Sequence, residues 1–332
     1  MSRISGYLNG VLFEMREESV LVEPYGDGCV RVRATRNSRF SEEKWTLLDA
    51  EACGSYVSIE SENKAVLYNG KLRVEVEKEG QWQTHCRLTF FKNDDIVLRT
   101  REEADPVTRY THIEGEHYRT RVIFEARADE HIYGLGQEQQ DFFDRKGCTY
   151  DIMHYNTKST VPVIYSSLGY GFLWNNPAVG RGEFANNHTI WQADSCYQAD
   201  YLVFVGDTPA GLVNRYARLT GFSPEMPDWA AGFWQCRLRY ESQDDLLEVA
   251  RKYHELDIPV DAIVIDYFHW TEQGNWDFDP QYWYDPKKMC DELKEMGIHP
   301  IVSVWPTVHP NSRNFAGMDE QKLLVRTENG QY

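Results

Sequence analysis

The sequence has no apolar run approaching the ~18 residues that a membrane-spanning helix needs, no Cys-x-x-Cys pair and no excess of positive charge. Each absence removes a class of function. Its 35 Lys and Arg stand against 52 Asp and Glu, a net charge of −17, and a surface of that sign repels phosphate backbones, so nucleic acid is not an expected partner. Met1 to Ser19 alternates polar and apolar residues without the apolar core of a secretory signal. The expectation is a soluble, cytoplasmic protein that does not engage a membrane. Seven cysteines, at 29, 53, 86, 148, 196, 236 and 290, are odd in number and widely spaced. That pattern fits neither a disulfide frame nor a metal knuckle, and reduced, mostly buried thiols are expected.

Cofactor signatures are missing as well. Tyr133-Gly-Leu-Gly-Gln137 offers a GxG without the third glycine that opens a dinucleotide-binding helix, and no phosphate loop, HExxH or GxSxG occurs. His112 and His117 lie five apart in a β-patterned region, a poor ligand spacing, and read as surface histidines. No metal and no cofactor are expected. What the chain does have is aromatic residues, 14% of the total with ten Trp and twenty Tyr. Such flat amphipathic rings suit a ligand-lined cleft, although most aromatics simply fill cores.

Up to residue 222 the dominant pattern has period two, as in Cys29-Val-Arg-Val-Arg-Ala34, Lys71-Leu-Arg-Val-Glu-Val-Glu77 and Tyr201-Leu-Val-Phe-Val205. This predicts an N-terminal antiparallel β-sandwich over 1–222, with apolar residues facing the inter-sheet core and the arginines near position 31 on a solvated face. Residues 223–229, with Pro224 and Pro227, read as a linker. From 230 to 332 strand and helix signals alternate. Ala230 to Trp234 reads as a strand; Ser242 opens a helix whose apolar residues Leu246, Val249, Ala250, Tyr253 and Leu256 share one face and which Pro259 ends. Ala262-Ile-Val-Ile265 suits a strand buried on both faces. Asp285 and Pro286 open a second helix that Gly297 closes, and Ile301-Val-Ser-Val304 is the third strand. Repeats of 30 and 38 positions between successive strands, from Gly232 to Ala262 to Pro300, match βα units of a barrel or of a doubly wound sheet. Three such units leave a sheet edge open, which asks for more chain or for a partner, a second copy in a homo-oligomer included.

In parallel α/β folds ligands meet the C-terminal ends of the strands. The residues there are unusually polar and aromatic: Gln235, Arg237, Arg239 and Tyr240 after the first strand, Asp266-Tyr-Phe-His-Trp270 after the second, and Trp305, Thr307 and His309 after the third. A carboxylate followed by rings can hold sugar hydroxyls by charge-assisted hydrogen bonds while the rings pack on the C–H faces of the sugar. The plain alternative is that Asp266 caps a loop and the rings are core. Asp277, Asp279 and Asp285 sit in turn-rich sequence, and at least the latter two read as caps.

At these residues the chain resembles the family 31 glycoside hydrolases, which act on α-glucosides and α-xylosides. The resemblance rests on Tyr-Gly-Leu-Gly at 133–136, Gly-Tyr-Gly-Phe-Leu-Trp-Asn-Asn-Pro at 169–177 and Gly-Phe-Trp-Gln-Cys-Arg-Leu-Arg-Tyr at 232–240. It continues from Ile265-Asp-Tyr-Phe through Trp276-Asp-Phe-Asp-Pro280 to Asp285-Pro286. It implies a β-sandwich leading into a (β/α)₈ TIM-type barrel, incomplete in this chain. It also implies retaining chemistry by two aspartates with carboxyls ~5–5.5 Å apart. The family places these after the fourth and sixth barrel strands, so no catalytic residue is assigned within this chain.

What the resemblance does carry over is substrate binding. Asp266 matches the family's second-strand aspartate that accepts hydrogen bonds from sugar hydroxyls, and Trp305 matches the third-strand tryptophan that walls the pocket. Tyr267 and Phe268 stand where xylosidase-like and glucosidase-like members differ, and a bulky ring there leaves room for xylose while crowding the hydroxymethyl of glucose. With Trp270 and Arg239 beside them, these six form the expected substrate-binding set. Residues 137–156 correspond to the loop that the family's sandwich sends towards the pocket. The expected function is that of a retaining, exo-acting α-xylosidase-like hydrolase of α-xylosidic or α-glucosidic oligosaccharides, of which this is the N-terminal portion. An α-glucosidase and a non-catalytic carbohydrate-binding fragment are the rivals.

Overall fold

The structure, a computed structural model, describes residues 2–80, 85–101, 109–139, 142–327 and 329–332. It divides into two compact units, Met1–Ser223 and Pro224–Tyr332.

Among the described residues, the first unit is a β-sandwich of one eight-stranded antiparallel sheet and two five-stranded ones. At the centre of the large sheet the early strand Cys29–Thr35 pairs with the late strand Ala199–Val205. The unit is thus closed by contacts far apart in sequence. Phe13 and Val32 from the large sheet meet Leu67 and Val74 from one small sheet and Phe124 and Trp191 from the other in a single core. Phe172 stacks on both Trp191 and Tyr201, at ring-centroid distances of 5.0 and 5.1 Å. Stacked rings of this kind add about 0.5–1.5 kcal/mol each beyond their buried area.

The Tyr133-Gly-Leu-Gly motif belongs to this unit as a bulge. The pairing of Ile132–Gln137 with Ser159–Ser166 slips between Gly134 and Gly136. Gly134, Leu135 and Gly136 all have positive φ, at 120°, 69° and 78°. A Cβ on Gly134 would lie 2.4 Å from the Val163 carbonyl oxygen, and one on Gly136 2.3 Å from that of Ser159. Only glycine allows that approach.

Arg31 and Arg33 correct the expectation of a solvated face. Both are 3% exposed. Val30, Val32 and Ala34 do turn into the sandwich core, but the opposite face of the large sheet is covered too. There Leu47, Leu212 and Leu219, the last two from the helix Pro209–Thr220, pack with Leu202 and Phe204. Period two therefore marked two buried faces, and the arginines lie on the second, Arg31 paired with Asp200 and Arg33 with Glu23 and Glu42. The thiols also depart from expectation: Cys29, Cys86 and Cys196 are buried, Cys148 and Cys290 are half-buried, and Cys53 and Cys236 are exposed.

The second unit carries three parallel strands, Trp234–Cys236, Ala262–Ile265 and His299–Val302, in that spatial order. The described sheet is open, not a closed barrel. Ser242 caps the helix Gln243–Glu255 by accepting from the Asp245 N–H, and Asp285 caps Pro286–Glu295 by accepting from the Lys288 N–H. Leu246, Leu247 and Ala250 of the first helix and Met289 and Leu293 of the second pack with Ile263 and Ile265 of the central strand. The first strand begins later than its sequence suggests. Asp228–Ala231 forms a short 3-10 turn, because the parallel ladder starts only at Trp234, opposite Ala262. The third strand begins two residues earlier than Ile301, since His299 pairs with Ala262.

Candidate functional site

The second unit's parallel register sets the candidate site. Cys236, Val264 and Ile301 lie in one row across the sheet, so the segments following them emerge at the same end. The Ser303 N–H donates to the Ile265 carbonyl at 2.9 Å, extending the ladder to the foot of Asp266 and Trp305.

Asp266 follows the last residue of the central strand and is half-buried. Among the described residues no side chain or backbone N–H donates to its carboxylate. Its electrostatic reach includes Cys236: burial pushes that thiol above its ordinary value and the Asp266 charge adds to the shift. The chain then turns through two successive left-handed residues, Tyr267 at φ 52° and Phe268 at φ 57°. Residues other than glycine held there cost of order 1–3 kcal/mol each and persist only where their surroundings fix them.

Here the fixing comes from rings. The Tyr267 ring lies 3.8 Å from Phe268, 4.7 Å from Trp305 and 5.4 Å edge-on from Trp270, between centroids. Trp276, itself at φ 53°, donates its indole N–H to the Trp305 carbonyl at 2.9 Å. Arg239 reaches over Phe268, its guanidinium carbon 5.0 Å from the ring centroid. The structure thus brings Tyr267, Phe268, Trp270, Trp305 and Arg239 into one cluster directly after Asp266. Their exposure differs. Phe268 and Trp305 are 53% and 44% exposed, whereas Trp270 is 8% exposed and presents an edge to Tyr267. Trp270 is therefore a support beneath the cluster, not an open sugar platform.

Several other polar residues of the region are occupied. Gln235 accepts from the Tyr253 hydroxyl at 2.8 Å and donates to that of Tyr240 at 3.2 Å. Asp277 accepts from the Thr271 backbone and hydroxyl and pairs with Arg313 at 3.0 Å. Asp279 accepts from the Gln281 N–H. His309 and Glu272 approach to 3.7 Å. His269 is buried between Trp270 and Phe278, and burial lowers its pKa against the opposing pull of Asp277. Its Nδ1 has no hydrogen-bond partner among the described residues. Sequence reasoning missed two residues here, Cys236 and Trp276. Trp276 could have been found, since it leads the Trp-Asp-Phe-Asp-Pro motif; an exposed thiol closing the short strand Trp234–Cys236 carries no sequence signal.

Of the loop at 137–156, residues 140 and 141 lie outside the described residues. Phe142 and Phe143 beside them are 72% and 85% exposed. Arg145 anchors the segment by donating to the Gly134 and Phe142 carbonyls.

A half-buried acceptor carboxylate at the end of a parallel strand, flanked by half-open rings, is chemically suited to a polyhydroxylated ligand. Residues 223–332 match the glycosyl hydrolases family 31 TIM-barrel domain, and residues 19–181 match the glycosyl hydrolase 31 N-terminal galactose mutarotase-like domain. The chain belongs to family 31 of the glycosyl hydrolases.

Within family 31 the chain is 35% identical to an uncharacterised family 31 glucosidase of Pseudescherichia vulneris, the match covering 99% of this chain and 65% of that protein. It is 32% identical to alpha-xylosidase A of Aspergillus niger, over 94% of this chain and 45% of that one. Among solved structures, a GH31 alpha-xylosidase from a soil metagenome, complexed with xylose, superposes with a TM-score of 0.88 at 39% identity. That match spans 98% of this chain and 50% of that one. The chain thus covers between about half and two thirds of these relatives.

No helix among the described residues is long and apolar enough to cross a membrane.

Proposed function

We propose that this chain supplies the sugar-binding side of a retaining, exo-acting α-glycoside hydrolase that prefers non-reducing-end α-xylosides to α-glucosides. The observation that carries the proposal is the step from Asp266 into the left-handed Tyr267-Phe268 pair packed on Trp305. Asp266 is a carboxylate acceptor for sugar hydroxyls. Phe268 and Trp305 offer apolar faces, Trp270 supports them, and Arg239 stands at the rim. A ring directly after the aspartate takes the space that the hydroxymethyl group of glucose would need and leaves room for xylose. Such a pocket discriminates by about 1–3 kcal/mol for a group of that size. The xylosidase names among the relatives support the same direction.

The reading assigns no nucleophile and no acid/base within these residues. Hydrolysis belongs to a protein in which further barrel strands bring a carboxylate pair to this face. The division into a sandwich over 1–222, a linker over 223–229 and barrel units over 230–332 is part of the proposal, as is cytoplasmic location, which seven free cysteines support. Comparing kcat/KM for aryl α-xyloside and aryl α-glucoside, in a protein extending this chain through the remaining strands, tests it. A xyloside preference is expected. A tenfold or greater preference for the glucoside overturns it in favour of an α-glucosidase, and sugar binding with no turnover of either leaves a carbohydrate-binding module.

A further inference from the structure

Residues 266–285, which join the central strand of the second unit to its second helix, contain no helix and no strand. A connection of that length holds a site in place only where something fixes it. Here the loop after the third strand does so, and Asn275 is at the centre of the join. Its Oδ1 accepts from the Ser312 hydroxyl at 2.9 Å and from the Arg313 N–H at 3.0 Å, while its Nδ2 donates to the Thr271 hydroxyl at 2.8 Å. Ser312 is 5% exposed, so water does not compete for the hydroxyl that meets Asn275. On either side the His309 N–H donates to the Gln273 carbonyl at 3.0 Å and the Asn314 amide to that of Gly274 at 2.8 Å. Gly274, at φ 96°, comes so near the facing loop that a Cβ on it would lie 2.7 Å from the Val308 Cα.

This join leads to the candidate site. Trp276 follows Asn275 directly, is held left-handed at φ 53°, and donates its indole N–H to the Trp305 carbonyl at 2.9 Å. The Trp305 ring in turn lies 4.7 Å from that of Tyr267, between centroids. A residue held left-handed persists only where its surroundings fix it, and Asn275 fixes the backbone that enters Trp276. With its oxygen bonded to one loop and its nitrogen to the other, Asn275 acts on the Tyr267 ring through Trp276 and Trp305.

We propose that Asn275 is a positioning residue for sugar discrimination, holding through Trp276 and Trp305 the ring that takes the space of the glucose hydroxymethyl group. The inference rests on the proposed reading of the Asp266 face. Loosening the join frees Trp305 and Tyr267 to move apart, the space opens, and the penalty against glucose falls relative to xylose.

The test compares kcat/KM for aryl α-xyloside and aryl α-glucoside in the complete protein, for the parent, Asn275→Ala, Trp276→Phe and the double variant. The quantity read is the ratio of the two, because a loss of folded enzyme lowers both alike and leaves the ratio unchanged. The xyloside-to-glucoside ratio should fall roughly three- to tenfold in each single variant, the size of one or two neutral hydrogen bonds. The double variant should fall no further than the larger single one, since both changes cut the same link. Ser312→Ala removes one partner of Asn275 and should shift the ratio less in the same direction, which reads the link should Asn275→Ala not fold. An unchanged ratio in Trp276→Phe, or in folded Asn275→Ala, overturns the inference, as do additive falls in the double variant. The parent's own ratio tests the proposed function separately. A parent that prefers glucoside, with the ratio still falling in the variants, overturns the xyloside reading and leaves Asn275 as a positioning residue; a parent that prefers xyloside, with an unchanged ratio, does the reverse. No turnover of either substrate by the parent overturns both.

Discussion

Arg31 and Asp200 face each other across the two central strands of the eight-stranded sheet. Their guanidinium and carboxylate are joined by two hydrogen bonds of 3.0 and 2.5 Å, with side chains 4% and 1% exposed. Arg31 also donates to the Glu43 carbonyl at 2.6 Å, and Gln198 reaches the Asp200 carboxylate. Burial raises the Asp200 pKa while the Arg31 bonds oppose the shift. The pair joins residue 31 to residue 200 and seats the 40s segment on the sheet.

Breaking this pair from one side leaves the other charge buried and alone. Asp200→Ala is expected to destabilise the chain by about 3–5 kcal/mol, measured as a lower urea midpoint with the slope unchanged. Replacing both residues by apolar ones should cost less than the single change. A midpoint within error of the parent for Asp200→Ala would show that the pair contributes nothing.

Asp266→Ala removes the carboxylate to which the proposed function assigns the sugar hydroxyls. In a protein with the complete barrel, kcat/KM for an aryl α-xyloside should fall roughly 10- to 100-fold, the size of a charge-assisted hydrogen bond. Stability should change little, since no group among the described residues donates to that carboxylate. Unchanged kcat/KM would remove Asp266 from the site.

His269 makes stability depend on pH. Its folded pKa is depressed by burial, so the unfolded chain binds the proton more readily than the folded one. Stability therefore rises with pH between the depressed folded value and the ordinary ~6.5, and is lost as pH falls through that window. His269→Phe should flatten this part of the stability-against-pH curve, followed by urea midpoints from pH 7 down to 5. An identical slope in the variant would assign the dependence elsewhere.

Gly134 tests the bulge. Gly134→Ala places a methyl group against the Val163 carbonyl at φ 120°, and a loss of at least about 1–3 kcal/mol is expected from the backbone conformation alone. Full thermal stability in this variant would mean that the bulge relaxes without cost.

The sequence by itself determined the local elements of the second unit. Ser242 and Asp285 cap its helices where their spacing puts them, and the run Ala262–Ile265 is the buried central strand. These signals are local: a cap needs only its own next few N–H groups, and a strand covered on both faces is written as an unbroken apolar run. The family motifs at 232–240 and 265–286 likewise located the end of the sheet that carries Asp266.

Tertiary structure decided the rest. Arg31 and Arg33 read as solvated because alternation reports that two faces differ, not what covers each; the covering residues Leu47, Leu212 and Leu219 come from distant parts of the chain. Trp270 and Phe268 are both rings two residues apart. One is buried and the other open, because two left-handed residues turn the chain between Asp266 and His269, and sequence periodicity does not encode such a turn. Arg237 and Arg239 are equally basic on paper, and only the position of Asp245 gives one of them a partner. Burial and pairing depend on which distant atoms fill the space beside a side chain, and only the folded packing supplies those atoms.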